Sequence, residues 1–131
     1  PGPQCYCGKR GCLETWISGP ALAADYARIT DKSLDTPDII KGAGQGDEQC
    51  EAALMRYCDR LARGLSSVVN IIDPDIIVLG GGMGKINRLY EEVPRLLQPY
   101  IFSPEAIDTP LAAPLYGDSS GVRGAAWLWG D

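Results

Sequence analysis

"VNIIDPDIIVLGGGM", residues 69–83, holds the end of a helix, a stop, a strand and a glycine turn within fifteen residues. Asp73-Pro74 closes the segment before it, because proline lacks an amide hydrogen and turns the preceding residue away from helical geometry. Ile76, Ile77, Val78 and Leu79 then run without a polar break into Gly80, Gly81 and Gly82. A short continuous apolar run ending in breakers reads as a strand buried on both faces, the kind found in a parallel sheet covered by helices.

Upstream, Asp47–Ile72 is the longest helix expected. Leu54, Tyr57, Cys58, Leu61, Leu65, Val68, Val69 and Ile72 recur at three- and four-residue steps and predict a broad buried stripe, with Arg56, Arg60 and Arg63 mostly off it. Cys50 and Cys58 lie on or near that face and read as core thiols. Farther back, "CLETWISGPALAADYARIT" (12–30) predicts two helical pieces. Leu13, Trp16 and Ile17 share one face of the first. Ser18-Gly19 breaks the run, Pro20 suits the first turn of the second, and Leu22, Tyr26 and Ile29 line that helix. A third helix begins near Pro37 under an Asp35 or Thr36 cap and ends among Gly42, Gly44 and Gly46.

Downstream of the glycines, Ile86 to about Tyr100 predicts a helix faced by Leu89, Val93, Leu96 and Leu97, with a kink or break at Pro94. "TPLAAPL" (109–115) reads as an edge strand or strand end because of Pro114. A closing helix from about Ser120 packs Ala125, Leu128 and Trp129. The pattern is helix-rich α/β with too few strands for a complete sheet. The chain also opens on "PGPQCYC", without Met and with its busiest motif at the edge, where chains fray. Both features suggest a piece of a larger domain.

Composition narrows the function classes. The 131 residues, 45% of them hydrophobic, suit one core of moderate size. The 16 Gly and 10 Pro follow no period, which argues for many turns and against a fibrous chain. Twelve basic against seventeen acidic residues give a net charge of −5 with no Lys/Arg run, so a nucleic-acid footprint is absent. No apolar stretch approaches the 18 or so residues of a membrane span. Five cysteines, an odd number spaced unlike a disulfide framework, point to a reducing, cytoplasmic setting.

Three of those cysteines crowd into "CYCGKRGC" (5–12). Gly8 and Gly11 allow the loop to turn, so Cys5, Cys7 and Cys12 can converge on one zinc ion, with Lys9 and Arg10 offsetting thiolate charge. Structural zinc takes four ligands, and the chain has no histidine to add. A Cys5–Cys12 disulfide and unpaired thiols remain alternatives; Cys-x-x-Cys redox spacing is absent. Glu14, two residues on, either stabilises the first turn of a helix or accepts hydrogen bonds from a polyol, oriented by the stapled loop.

The glycine turn at 80–84 is neither the dinucleotide fingerprint nor a phosphate loop of the Walker type, since Ile86 follows Lys85 where Ser or Thr is required. It stands at the carboxyl end of a predicted parallel strand, where open sheets bind ligands, although a tight turn explains it equally well. In "GDSSGVRGAAW" (117–127), Asp118, Ser119 and Ser120 are cap candidates, and Arg123 meets either a phosphate or solvent.

"CYCGKRGCLE", "VNIIDPDIIVLGGGM" and "GDSSGVRGAAWLW" together resemble the carboxyl half of a sugar kinase of the ROK family (repressor, open reading frame, kinase), and within it the branch that phosphorylates fructose. The resemblance implies most of the carboxyl-terminal domain of an actin-like, ribonuclease H-like ATPase fold, with the amino-terminal domain absent. It implies Cys5, Cys7 and Cys12 as zinc ligands, Glu14 as a sugar-hydroxyl acceptor, and Gly80, Gly81, Gly82 and Met83 against the adenosine of ATP. Transfer of the ATP γ-phosphoryl group to a hexose, with Mg²⁺ and a catalytic base outside this chain, follows from the same resemblance, as does a homodimer. This chain alone is then expected to be inactive. The family's repressors share the cysteine motif, but the intact glycine triplet and the Asp-Ser-Ser-Gly-Val-Arg ending are more similar to the kinases. A zinc-stabilised sugar-binding module without catalysis is the third reading.

Overall fold

A computed structural model describes residues 2–103 and 108–128. Among these residues six α-helices and two short strands follow one another, with short 3₁₀ turns between, as α1 (Glu14–Ile17), α2 (Gly19–Thr30), α3 (Thr36–Gly44), α4 (Glu48–Ile72), β1 (Ile77–Val78), α5 (Asn87–Leu97), β2 (Leu111–Ala112) and α6 (Ser120–Trp127). Among the described residues none of the helices is long and apolar enough to cross a membrane.

Helix starts follow the local chemistry. Ser18 accepts from the Ala21 amide, Asp35 from Asp38 and Asp47 from Cys50, each satisfying an amide that the first turn leaves without an intrahelical partner. Asp31 and Asp73 end α2 and α4 in left-handed geometry, a conformation that Asp tolerates better than most residues. Pro94 does not break α5. The helix continues to Leu97 and passes into a 3₁₀ turn at Gln98–Tyr100.

The core gathers around α4. Leu22 and Tyr26 of α2, Ile39 of α3, Leu54, Tyr57, Cys58 and Leu61 of α4, and Leu89 and Val93 of α5 are all buried. Cys50 and Cys58 are buried thiols, as their spacing suggests. Two predicted core positions on α4 and one on α2 are exposed instead: Val68, Ile72 and Ile29. Val68 and Ile72 lie in the last two turns of α4 and Ile29 in the last turn of α2, and helical spacing cannot reveal where along a stripe the covering elements stop.

β1 and β2 pair in parallel, Ile77 opposite Leu111 and Val78 opposite Ala112, with α5 in the connection. This is the strand–helix–strand crossover that parallel pairing requires. The strand expected to be buried on both faces is not. Ile76 and Val78 are about half exposed, because no described element lies over that side. The closing helix forms where expected, but from residue 121 on its side chains, Ala125 included, and Leu128 just after it face solvent. Trp129 lies outside the described residues.

Candidate functional site

The cysteine loop is a miniature hairpin. The Cys5 amide donates to the Lys9 carbonyl at 2.8 Å, Gly8 to Cys5 at 3.0 Å and Gly11 to Pro3 at 2.9 Å, while Gln4 and Arg10 form an antiparallel bridge. Gly8 and Gly11 turn the chain at φ of 83° and 72°, where a side chain would strain the backbone. The result brings the Cys5, Cys7 and Cys12 sulfurs within 4.8 Å of one another, Cys7 and Cys12 at 3.5 Å. All three are free thiols, so the disulfide alternative is not realised.

The donor set fits a zinc ion. Ligand sulfurs at 2.3 Å from a tetrahedral centre lie about 3.8 Å apart, close to the observed cluster. The thiols are already unequal. Hydrogen bonding from the Lys9 backbone, then from Cys5 and Cys12, lowers the Cys7 pKa. Sharing a proton with Cys7, then with Cys5, raises Cys12 to about 11. Cys7 therefore gives up its proton before Cys12 does.

Cys12 hands the chain directly to α1. Its carbonyl accepts from both the amide and the hydroxyl of Thr15, at 2.9 and 2.7 Å. Glu14 is the first residue of α1, exposed, and no hydrogen bond reaches its carboxylate among the described residues. The far end of α1 is held by Tyr57 of α4, whose buried hydroxyl donates to the Ile17 carbonyl at 2.7 Å.

The second region is the turn after β1. Leu79 donates to Ala112 at 3.1 Å, and Gly82–Lys85 form one 3₁₀ turn. Gly84 is there for space. A Cβ on it would stand 2.1 Å from the Leu79 carbonyl oxygen, far inside contact distance. Its own carbonyl accepts from the Tyr90 hydroxyl at 2.6 Å. The turn thus holds Gly82 and Met83 against the first turns of α2 and α3. Together with Gly19, Pro20, Thr36 and Pro37 they line an open cleft of about 580 Å³, within the usual range for small-ligand sites. Gly80 and Gly81 lead into this cleft but do not line it. Asp35 already occupies the Asp38 amide at the start of α3, and Pro37 has no amide hydrogen. That end suits a flat apolar group with hydroxyls better than a phosphate.

Ser119 and Ser120 do not cap α6 as expected. Ser119, which precedes the helix, makes no side-chain cap bond, and its hydroxyl donates back to the Tyr116 carbonyl at 2.8 Å. Arg123 is exposed to solvent and lays its guanidinium over the Tyr116 ring, 3.9 Å from the centroid. The Asp118 side chain lies outside the described residues.

One cluster escaped the sequence reading. Asp25 of α2 is buried and accepts from Arg28, Arg56 and Arg60 at 2.7–2.8 Å. Burial pushes its carboxyl up, but the three guanidinium groups outweigh it and hold the pKa at about 2. The signal was present: Asp25 stands three residues after Leu22 and one before Tyr26, on the apolar face of α2, and Arg56 and Arg60 are four apart.

The helix-rich α/β arrangement is that of the actin-like ATPase class, shared with solved ROK sugar kinases. The chain belongs to the ROK family, whose model matches residues 1–131. It is 39% identical over 132 residues to the N-acetyl-D-glucosamine kinase of Salmonella typhi, covering 98% of this chain and 42% of that protein. The ROK hexokinase of Thermus thermophilus superposes with a TM-score of 0.79 at 31% identity, over 95% of this chain and 42% of that one. A ROK glucokinase from Streptomyces griseus, solved in complex with glucose and AMPPNP, reaches 0.83 at 24% identity, over 97% and 47%, a likeness of fold alone. The chain thus spans less than half the length of each.

Proposed function

We propose that this chain supplies the sugar-facing and nucleotide-facing walls of an ATP-dependent hexose kinase. The observation that carries the reading is the match of the whole chain to the ROK family together with 39% identity to an N-acetylglucosamine kinase. The geometry supports it. Glu14 projects a free carboxylate from a helix stapled to a thiol cluster, which suits an acceptor for sugar hydroxyls. Gly82 and Met83 line a mainly apolar cleft of the size an adenosine group needs, and Gly80 and Gly81 precede them in the same turn.

In this reading Cys5, Cys7 and Cys12 would hold a structural zinc ion, which fixes the hairpin and with it the entry to α1. The γ-phosphoryl group of ATP passes in line to a sugar hydroxyl, probed first at O6. Mg²⁺ supplies charge neutralisation on the phosphates when bound. Glu14 orients the hexose through its hydroxyls, and no catalytic base is assigned to this chain. Fructose is the finer reading from the sequence motifs, with N-acetylglucosamine, glucose and mannose as competitors. A homodimer and a cytoplasmic setting belong to the same proposal.

The test is ADP release by the chain in its full-length protein with ATP, Mg²⁺ and each hexose in turn. Turnover with one hexose dominant supports the kinase and names its substrate. No turnover with any of them overturns it. Glu14→Gln is expected to raise the hexose KM or abolish the rate. Sugar-dependent ADP release by the 131 residues alone would overturn the absence of a base.

A further inference from the structure

The buried Asp25 cluster does more than tie α2 to α4. We infer that Asp25 and Arg60 are positioning residues for Glu14, acting through the Trp16 ring. The inference rests on Glu14 as the hexose anchor.

Helix α1 has four residues and buries none of its side chains. A helix of one turn does not persist unaided, so its orientation comes from what grips it. Thr15 binds Cys12 within the hairpin, and Tyr57 holds the Ile17 carbonyl. These bonds fix backbone points near the two ends. Ile17 adds a side-chain contact with the core, and Trp16, which lies near Gly2 on one side, carries the Arg60 guanidinium 5.0 Å from its ring centroid. Two hollows, of about 310 and 170 Å³, are each lined by Trp16 and Arg60. The ring therefore has room to swing once the guanidinium is gone.

Arg60 is itself held by the buried Asp25 at 2.7 Å. Residues two apart on a helix point to nearly opposite sides, about 200° around the axis. Seating Trp16 inward against Arg60 therefore directs Glu14 outward, and the chain of command runs Asp25, Arg60, Trp16, Glu14. Asp25 keeps Arg28 and Arg56 when Arg60 is replaced. An Arg60 variant thus leaves no buried carboxylate without a partner, and the fold survives the test.

The experiment uses the full-length protein. Arg60→Gln is expected to raise the hexose KM about 3- to 10-fold while the ATP KM and kcat stay little changed. Hydrogen exchange, followed by mass spectrometry, is expected to quicken across 13–18 and to hold steady across 50–66. Trp16→Phe, which keeps a flat ring for the cation, is expected to keep the hexose KM near its original value, and Trp16→Leu to raise it. Unchanged exchange across 13–18 in Arg60→Gln overturns the inference, whatever the activity. So does a parallel rise in both KM values with faster exchange along α4, which marks general loosening. If Glu14→Gln leaves the hexose KM unmoved, the anchor reading fails by itself, and exchange still decides whether Arg60 holds α1.

Discussion

Leu54 of α4 and Leu89 of α5 are 2% and 0% exposed, whereas Val78 of β1 and Trp127 of α6 are 53% and 80% exposed. The helical side of the molecule closes a core around α4. The sheet side has two strands of two residues each and presents its apolar side chains to water. A two-stranded pairing contributes little stability of its own, so the sheet side depends on α5 and the glycine turn to hold its shape. The difference separates a region held by side-chain packing from one held by backbone geometry, and each calls for a different kind of substitution to disturb it.

Four measurements break or sharpen that contrast, in order of expected effect. Leu54→Ala should cost about 2–5 kcal/mol in urea unfolding, the usual cost of a leucine-sized cavity in a closed core. A cost near zero would mean that the helical core is not close-packed. Gly84→Ala should cost about 1–3 kcal/mol although no large side chain is lost, because the new Cβ drives the Leu79 carbonyl aside. Full tolerance would show that the turn after β1 is not fixed.

The third measurement is acid titration of stability. The folded Asp25 pKa of about 2 lies below its ordinary value of 3.8. Asp25 therefore contributes stability that is fully present above about pH 4 and is lost as pH falls toward 2. The contribution is about 2 kcal/mol, counted at 1.4 kcal/mol per pKa unit. Asp25→Asn should flatten the profile in that window, and an unaltered acid limb would break the assignment. Last, Val78→Ala on the exposed side should lie within about 0.5 kcal/mol of the parent. A core-sized loss there would mean that the sheet face is covered in solution.

Legibility in the sequence followed the same divide. Helix boundaries at Asp35, Asp47 and Asp73 were readable because caps and stops act over three or four residues. The cysteine cluster was readable too, since a hairpin between Cys5 and Cys12 is closed by local hydrogen bonds. The exposure of Ile76 and Val78 was not, because burial of a strand depends on elements distant in sequence. The hollow between Met83 and Thr36 was equally hidden. It needs α2, α3 and the turn after β1 to meet, and the Asp35–Pro37 segment by itself signals only a helix start.

What the sequence determined unaided is the local grammar: which segments are helical, where they begin and stop, that three thiols can converge, and that a glycine turn follows a strand. Propensity, capping and turn geometry act among near neighbours, so one chain suffices to read them. Only the tertiary structure decided that three arginines meet on Asp25, that Arg60 lies on Trp16, and that Met83 faces two helix starts. Apart from Arg28 on Asp25 within α2, those contacts join residues about 30 to 60 positions apart in separate elements, and their free energy exists only once α4 has brought its neighbours together.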